Sequence, residues 1–255
     1  MKILSKFDLC MGYYQVRIKA GDESKMTIST RYGSYEFNIM PFGLTNTPVT
    51  FCTLIQEVLK EFLDKFIVIY LDSIAIYSNS MEEHVGHLRQ VLAALRANKL
   101  YVRKEKCEFG LREICFLCHI IGGGKILMDP QKTKAIVEQP ASTSPMELQL
   151  FFGLVNYYHC SIAGHSTITV SLTDLLRKGK TWTLKMACQE VFEALKNVIT
   201  KESVSTLPNF AKSFEVYVNA SDIAVDGVLK QDGHPIAYES HKLSDVERWW
   251  PTHEK

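Results

Sequence analysis

The chain has no excess of charge of either sign. Lys and Arg number 29 against 28 for Asp and Glu, a formal net charge of +1. Global charge therefore gives no support to a nucleic-acid partner, and only local patches remain to provide it. Two are present, Lys99 with Arg103, Lys104 and Lys106, and Arg177 with Lys178 and Lys180. Each reads either as a solvated face or as a phosphate track. The sequence also shows no secretory leader and no apolar run long enough to span a bilayer, which points to an intracellular protein without a membrane, cytoplasmic or nuclear. Its seven cysteines are an odd number without scaffold-like spacing, as expected in a reducing compartment. A phosphate-binding loop is missing too, because Gly122-Gly123-Gly124 is followed by Ile126, Leu127 and Asp129-Pro130 and not by a helix. With 46% apolar residues in 255, the chain has the balance of a folded protein and room for one large domain or two modest ones.

The stretch from Phe66 to Ser78 organises the rest. It consists of two apolar, β-branched runs with Asp72 at their junction, the pattern of two strands joined by a tight turn. Asp72 is expected at or beside the tip of a buried hairpin, where a carboxylate is expensive unless its charge is offset. It reads either as a turn residue capping its own backbone or as a metal ligand on a rigid support. Its partner in the second reading is Asp8, which ends another apolar run, Ile3 to Asp8, and is followed by Gly12-Tyr13-Tyr14-Gln15.

Strands are expected at 2–9, 24–30 and 34–39, the last two joined at Arg31-Tyr32-Gly33. Val49, Phe51, Leu54, Ile55, Val58, Leu59 and Phe62 recur at helical spacing, with Thr45 or Asn46 as cap and Pro48 in the first turn. A second helix over 81–97, capped by Asn79 or Ser80, presents Val85, Leu88, Val91, Leu92 and Leu95 on one face. One hairpin over 107–128, turning at the glycine triplet, precedes helices at 130–138, 145–159, 168–177 and 187–200. Strands return from Phe214, after a linker at Leu207-Pro208-Asn209. The order predicts an α+β fold, an antiparallel sheet with packed helices. Within it, Cys115-Phe116-Leu117-Cys118-His119 spells a haem-attachment motif, and Cys107 invites zinc. Its apolar flanks read instead as a strand with buried thiols that bind nothing.

Four motifs in order resemble the reverse transcriptases of gypsy-type long-terminal-repeat retrotransposons. They are FDLCMGYYQVRI around Asp8, Met40 to Pro48, Tyr70-Leu71-Asp72-Ser73, and Phe116-Leu117-Cys118-His119. The resemblance implies a polymerase palm over 1–105, a primer-grip hairpin and helical thumb and connection over 106–206, and a truncated ribonuclease H-like domain over 207–255. It implies two-metal nucleotidyl transfer with Mg²⁺ on Asp8 and Asp72, using an RNA template, a DNA primer and a deoxynucleotide. Tyr13, Phe42 and Gly43 then line the nucleotide pocket, with Tyr13 gating the ribose, and Phe116 to His119 position the primer end. Gln15 matches without an assignable role.

Three departures from the pattern stand out. The family has Asp where Ser73 stands, Gly at Cys118, and a metal-binding Asp at Asn219 of Val218-Asn219-Ala220-Ser221. Asp222 and Asp226 do not match catalytic positions, and the next family acid falls just beyond Glu254-Lys255. A fingers segment with basic contacts to the triphosphate precedes the first Asp in the family. Its absence here, with Ser73 and Asn219, implies impaired polymerisation, or a non-catalytic degenerate fragment that at most binds nucleic acid.

Overall fold

The computed structural model describes residues 2–177, 179, 182–183, 186–200 and 205–251. The chain divides between Phe116 and Leu117 into two compact units, each described by itself. The elements of the first are β1 Ile3–Asp8, β2 Thr27–Thr30, β3 Gly33–Glu36, α1 Thr47–Leu59, β4 Ile67–Tyr70, β5 Ser73–Ser78, α2 Met81–Ala97, β6 Glu108–Leu111 and β7 Glu113–Phe116. The second contains β8 His119–Gly122, β9 Lys125–Met128, α3 Pro130–Val137, α4 Pro145–Val155, α5 His165–Leu175, α6 Met186–Thr200, β10 Ser205–Thr206, β11 Glu215–Ala220, β12 Ala224–Gln231 and β13 His234–Lys242. Helices and antiparallel sheets in this mixture make the fold α+β. Among the described residues no helix is long and apolar enough to cross a membrane.

The first unit is built on a four-stranded antiparallel sheet in the order β4-β5-β1-β6. Alternation along each strand sorts its side chains to two faces. Phe7, Leu9, Ile74 and Ile76 enter a buried cluster with Phe51, Ile55 and Leu59 of α1 and Val91 and Leu95 of α2. Asp8, between Phe7 and Leu9, and Ser73, next to Ile74, are thereby turned to the opposite face, where they are register partners. Pro48 sits in the first turn of α1, where its missing N–H is tolerated, but Asn46 makes no side-chain cap bond. At α2, Ser80 Oγ accepts from Glu83 N, one of the helix's orphan donors, and the Glu83 carboxylate accepts from Asn79 N just before the cap.

One position on α2 departs from the apolar pattern. His84 is fully buried, while Val85 and Leu92, expected inside, are exposed. The His84 ring is held between Ser5 Oγ at 2.7 Å and Ser78 Oγ at 2.8 Å, one serine from each of two paired strands. A polar ring with both nitrogens satisfied can replace an apolar residue at little cost. Burial lowers its pKa from the ordinary value of 6.5, and neighbouring His87 adds to this, while Glu83 opposes it. The folded state thus holds His84 neutral where the unfolded chain would protonate it. The stabilising contribution is fully present above about pH 6.5 and is lost as pH falls through that value toward the lowered folded one. Urea unfolding between pH 5 and 8 is expected to show this loss. His84→Ala is expected to cost about 2–4 kcal/mol at pH 8, from a cavity and two serines losing a partner, and to flatten the acid limb.

Elsewhere the boundaries shift for local reasons. The first half of the expected 24–30 strand is a 3-10 turn, Glu23–Met26. The expected 107–128 hairpin is four short strands, and only β8 and β9 turn at the glycines. There Gly123 and Gly124 take φ of 57° and 78°, which suits a two-residue hairpin turn. The expected helix over 145–159 ends at Val155 and tightens into a 3-10 turn, Asn156–Ser161.

Helices α3 to α6 close around Phe151, Phe152, Leu172, Phe192 and Leu195. The meander β11-β12-β13 is joined to α5 by polar contacts. Ser166 N and Oγ bond Ser240 Oγ and O at 2.7 and 2.8 Å, and Lys242 meets Asp174 at 2.9 Å.

Candidate catalytic pocket

Asp8 ends β1, and Asp72 lies in the two-residue turn between Tyr70 and Ser73. Leu71 enters that turn with φ of 53°, a left-handed conformation that a tight hairpin demands. Leu9 N donates to Asp72 O at 2.8 Å, which fixes the turn against the end of β1. Across the strand, Ser73 Oγ donates to Asp8 Oδ1 at 2.9 Å. Lys6 Nζ stands 3.9 Å from Asp8 Oδ2. The expectation of a buried hairpin tip is corrected here: Asp72 is exposed and Asp8 half-buried. Water reaches the turn, so its carboxylate needs no fixed counter-charge in the fold.

Both carboxylates line one cavity of about 220 Å³, with Gly12, Tyr13, Phe42, Arg103 and Lys106. Tyr13 is half-buried. Its ring meets Phe51 of the core edge-on at 5.3 Å and Phe42 at 5.0 Å, so it serves both core and pocket wall. Gly43 follows Phe42 in the chain but is not among the lining residues. A Cβ on Gly12 would stand 3.3 Å from the Phe51 ring and 3.7 Å from Asp72 Cβ. Phe51 is fully buried, so a side chain at position 12 would need that ring to shift by a few tenths of an ångström, and glycine fits without it.

Arg103 and Lys106 were visible in the sequence only as part of a basic patch. They arrive at the pocket because residues 101–103 run beside the end of β1. Arg103 N donates to Asp8 O and Cys10 N to Tyr101 O, both at 2.8 Å, and Leu9 bridges Val102. Gln15 secures this approach. Its amide donates to Cys10 O and Tyr101 O, and its Oε1 accepts from Tyr101 N at 2.6 Å. Cys107, also close, has its thiol pushed up by burial, with the charges of Asp8 and Glu105 adding to it. It donates to Arg103 O at 3.2 Å. Of the second basic patch, Arg177 pairs with Asp174 at 3.1 Å; Lys178 and Lys180 lie outside the described residues, as do Glu254 and Lys255.

The Cys115–His119 run is not a continuous strand. Leu117 and Cys118, with φ of 50° and 54°, separate β7 from β8. The left-handed φ at Cys118 is the conformation that glycine adopts freely. Nor are the thiols buried: Cys115 is exposed and Cys118 half-buried. Phe116 is buried in the first unit. In the second, Tyr157 and Tyr158 donate to Leu117 O and Cys118 O at 2.6 and 3.0 Å, and His119 packs on both rings. Among the described residues Cys107, Cys115, Cys118 and His119 belong to no cluster of three potential metal ligands.

Asn219 is exposed on β11, opposite Asp226 of β12. Both carboxylate oxygens of Asp226 are engaged, by Ser240 Oγ at 2.7 Å and Thr167 Oγ1 at 3.1 Å.

Residues 1–121 match the family model described as reverse transcriptase (RNA-dependent DNA polymerase). Residues 184–255 match the RNase H-like domain found in reverse transcriptase. Among curated proteins, the retrovirus-related Pol polyprotein from transposon 297 of Drosophila melanogaster is 38% identical over 94% of this chain and 23% of its own length. That from transposon opus, of the same organism, is 34% identical over 100% of the chain and 27% of its own. The chain thus spans about a quarter of these relatives. Among solved structures, the foamy viral protease-reverse transcriptase in complex with RNA/DNA hybrid superposes with a TM-score of 0.90 at 22% identity, covering 100% of this chain and 35% of that one.

Proposed function

Since the chain belongs to the reverse transcriptases of gypsy-like retrotransposon Pol polyproteins, we propose that it carries the core of an RNA-directed DNA polymerase, weakened in this copy at Ser73. The observation that carries this reading is the gathering of Asp8, Asp72, Tyr13, Phe42, Arg103 and Lys106 around one cavity.

Asp8 and Asp72 offer hard carboxylate oxygens of the kind that Mg²⁺ prefers, and the open cavity leaves room for water and phosphate to complete the coordination. Bound there, divalent ions would supply charge neutralisation to the attacking and leaving oxygens of an in-line displacement. In the proposed reaction the 3′-hydroxyl of a DNA primer attacks the α-phosphate of a deoxynucleotide paired with an RNA template. The new P–O bond forms as the bond to pyrophosphate breaks, and the hydroxyl proton leaves to solvent. Arg103 and Lys106 place positive charge where triphosphate oxygens would lie. Tyr13, braced by Phe51, packs T-shaped with Phe42 and limits room beside the sugar. Ser73 contributes no negative charge, and its hydrogen bond occupies Asp8 Oδ1. This favours slow chemistry, or the second reading, a fragment that binds nucleic acid without extending it.

The same reading assigns palm to 1–105, primer grip, thumb and connection to 106–206, and a ribonuclease H-like segment to 207–255, with Phe116 to His119 at the primer end. Extension of a labelled DNA primer on an RNA template, with Mg²⁺ and then Mn²⁺, tests it. Extension that requires Asp72 supports the polymerase, while primer–template binding without extension supports the second reading.

Ribonuclease H chemistry is expected to be absent, and Asn219→Asp is expected not to bring it back. The new carboxylate would face Asp226, whose oxygens are already engaged, and a like-charged cross-strand pair costs up to about 1 kcal/mol. A labelled RNA/DNA hybrid should stay intact with either protein, and cleavage by Asn219→Asp would refute this.

A further inference from the structure

Outside the pocket, one set of side chains has the chemistry of a metal site and no part in the function proposed above. We propose that His159, Cys160 and Glu239 form a zinc-type site, with one imidazole nitrogen, one thiolate and one carboxylate oxygen as ligands and water in the fourth position. The 3-10 turn after α4 brings His159 and Cys160 beside β13, which carries Glu239. Their potential ligand atoms all lie within 4.8 Å of one another, the only such trio among the described residues. Cys160 Sγ and His159 Nε2 are 3.2 Å apart. Tetrahedral zinc with ordinary bond lengths holds sulfur and nitrogen ligands about 3.5 Å apart, so the pair needs only a small adjustment.

Exposed thiols and imidazoles often meet without an ion. What separates this set is the orientation of the histidine. His159 Nδ1 lies 2.7 Å from Asn156 O, and a carbonyl can only accept. The proton is therefore on Nδ1, and the Nε2 lone pair faces the thiol. This is the outer hydrogen bond that metal-bound histidines use to fix their tautomer. Glu239 has no ion-pair partner among the described residues, although its Oε1 accepts from Ser240 N at 3.2 Å. Beside the trio stands His165, nine-tenths buried, with its ring 6.3 Å from that of His159. Among the described residues its Nε2 has no hydrogen-bond partner, a polar atom that a metal-bound water could satisfy.

Burial and the Glu239 charge push the Cys160 thiol up, so it is protonated near neutrality when no cation is present. Binding would form a Zn–S bond, break the S–H bond and release one proton to buffer. No redox partner is needed, because zinc keeps its oxidation state.

The test uses the full chain, reduced and stripped with chelator, and titrated with Co²⁺ followed by Zn²⁺. One equivalent of Co²⁺ is expected to give thiolate-to-cobalt charge transfer and intense visible bands of tetrahedral cobalt, both erased by Zn²⁺. Cys160→Ser should abolish the charge-transfer band, and Glu239→Gln should weaken binding roughly tenfold or more. Cys118→Ser should leave both cobalt signals unchanged. Circular dichroism establishes that each variant is folded; Cys160 and Glu239 are both exposed, and their replacement should leave the fold intact. The proposal is overturned if the parent shows no such bands, if they survive Cys160→Ser, or if Cys118→Ser removes them. Polymerase activity enters none of these readouts, so the site stands or falls apart from the catalytic reading.

Discussion

Asp72→Asn is expected to take primer extension on an RNA template to background, a loss of about a thousandfold or more. Removing one electrostatic stabiliser of a transition state costs on the order of 4 kcal/mol, and each 1.36 kcal/mol is tenfold in rate. The amide keeps the shape of the carboxylate and loses its charge. The fold should not notice: Asp72 is exposed, and the bond that fixes its turn uses its backbone carbonyl, which accepts from Leu9 N. Unfolding free energy should therefore stay within about 0.5 kcal/mol of the parent, the usual range for surface changes. Loss of extension with unchanged stability and unchanged primer–template binding separates a chemical role from a structural one. Where parent activity is low, the same substitution is made in a Ser73→Asp background.

Ser73→Asp should act in opposite directions on stability and on chemistry. Without divalent ions it removes the 2.9 Å hydrogen bond to Asp8 and puts a second carboxylate directly across the strand pair. Like charges in that position destabilise by roughly 1 kcal/mol, which lowers the melting temperature of a chain this size by about 2–4 °C. Divalent ions should reverse the sign, because the added charge is now an attractive partner. Extension should rise about a hundredfold, equivalent to about 3 kcal/mol of transition-state stabilisation. Thermal melts with and without Mg²⁺ check the first half, and single-turnover extension checks the second. A variant that melts lower under both conditions, with no gain in extension, would show that Asp8 and Asp72 do not hold an ion.

The parts of the fold legible in sequence were those with one-dimensional signatures. Ile67 to Tyr70 and Ile74 to Ser78 announce strands through β-branched runs, α1 announces itself through spacing, and α2 through spacing and its Ser80 cap. Asp8 and Asp72, 64 positions apart in numbering, were coupled by motif resemblance and not by periodicity. What periodicity misjudged was polarity. Val85 and Leu92 were expected inside and are exposed, while His84, left out of the apolar face, is inside because Ser5 and Ser78 satisfy its ring. Leu117 and Cys118 read as strand because they are apolar, yet both take left-handed backbone that side-chain character does not reveal. Arg103 and Lys106 were legible as charge but not as place, because backbone bonds from Asp8 and Tyr101, secured by Gln15, bring them to the pocket. The same bonds give Gln15 the role that its motif position alone did not supply. The trio His159, Cys160 and Glu239 was invisible for the same reason, since its third member lies on a distant strand.

The most direct measurement is single-turnover extension of one primer on one RNA template by the parent, Ser73→Asp and Ser73→Asp/Asp72→Asn, side by side in Mg²⁺ and in Mn²⁺. The account predicts slow extension by the parent, extension about a hundredfold faster with Ser73→Asp, and background once Asp72 is also changed. Brisk extension by the parent that Ser73→Asp leaves unchanged, or extension that persists without Asp72, would contradict it.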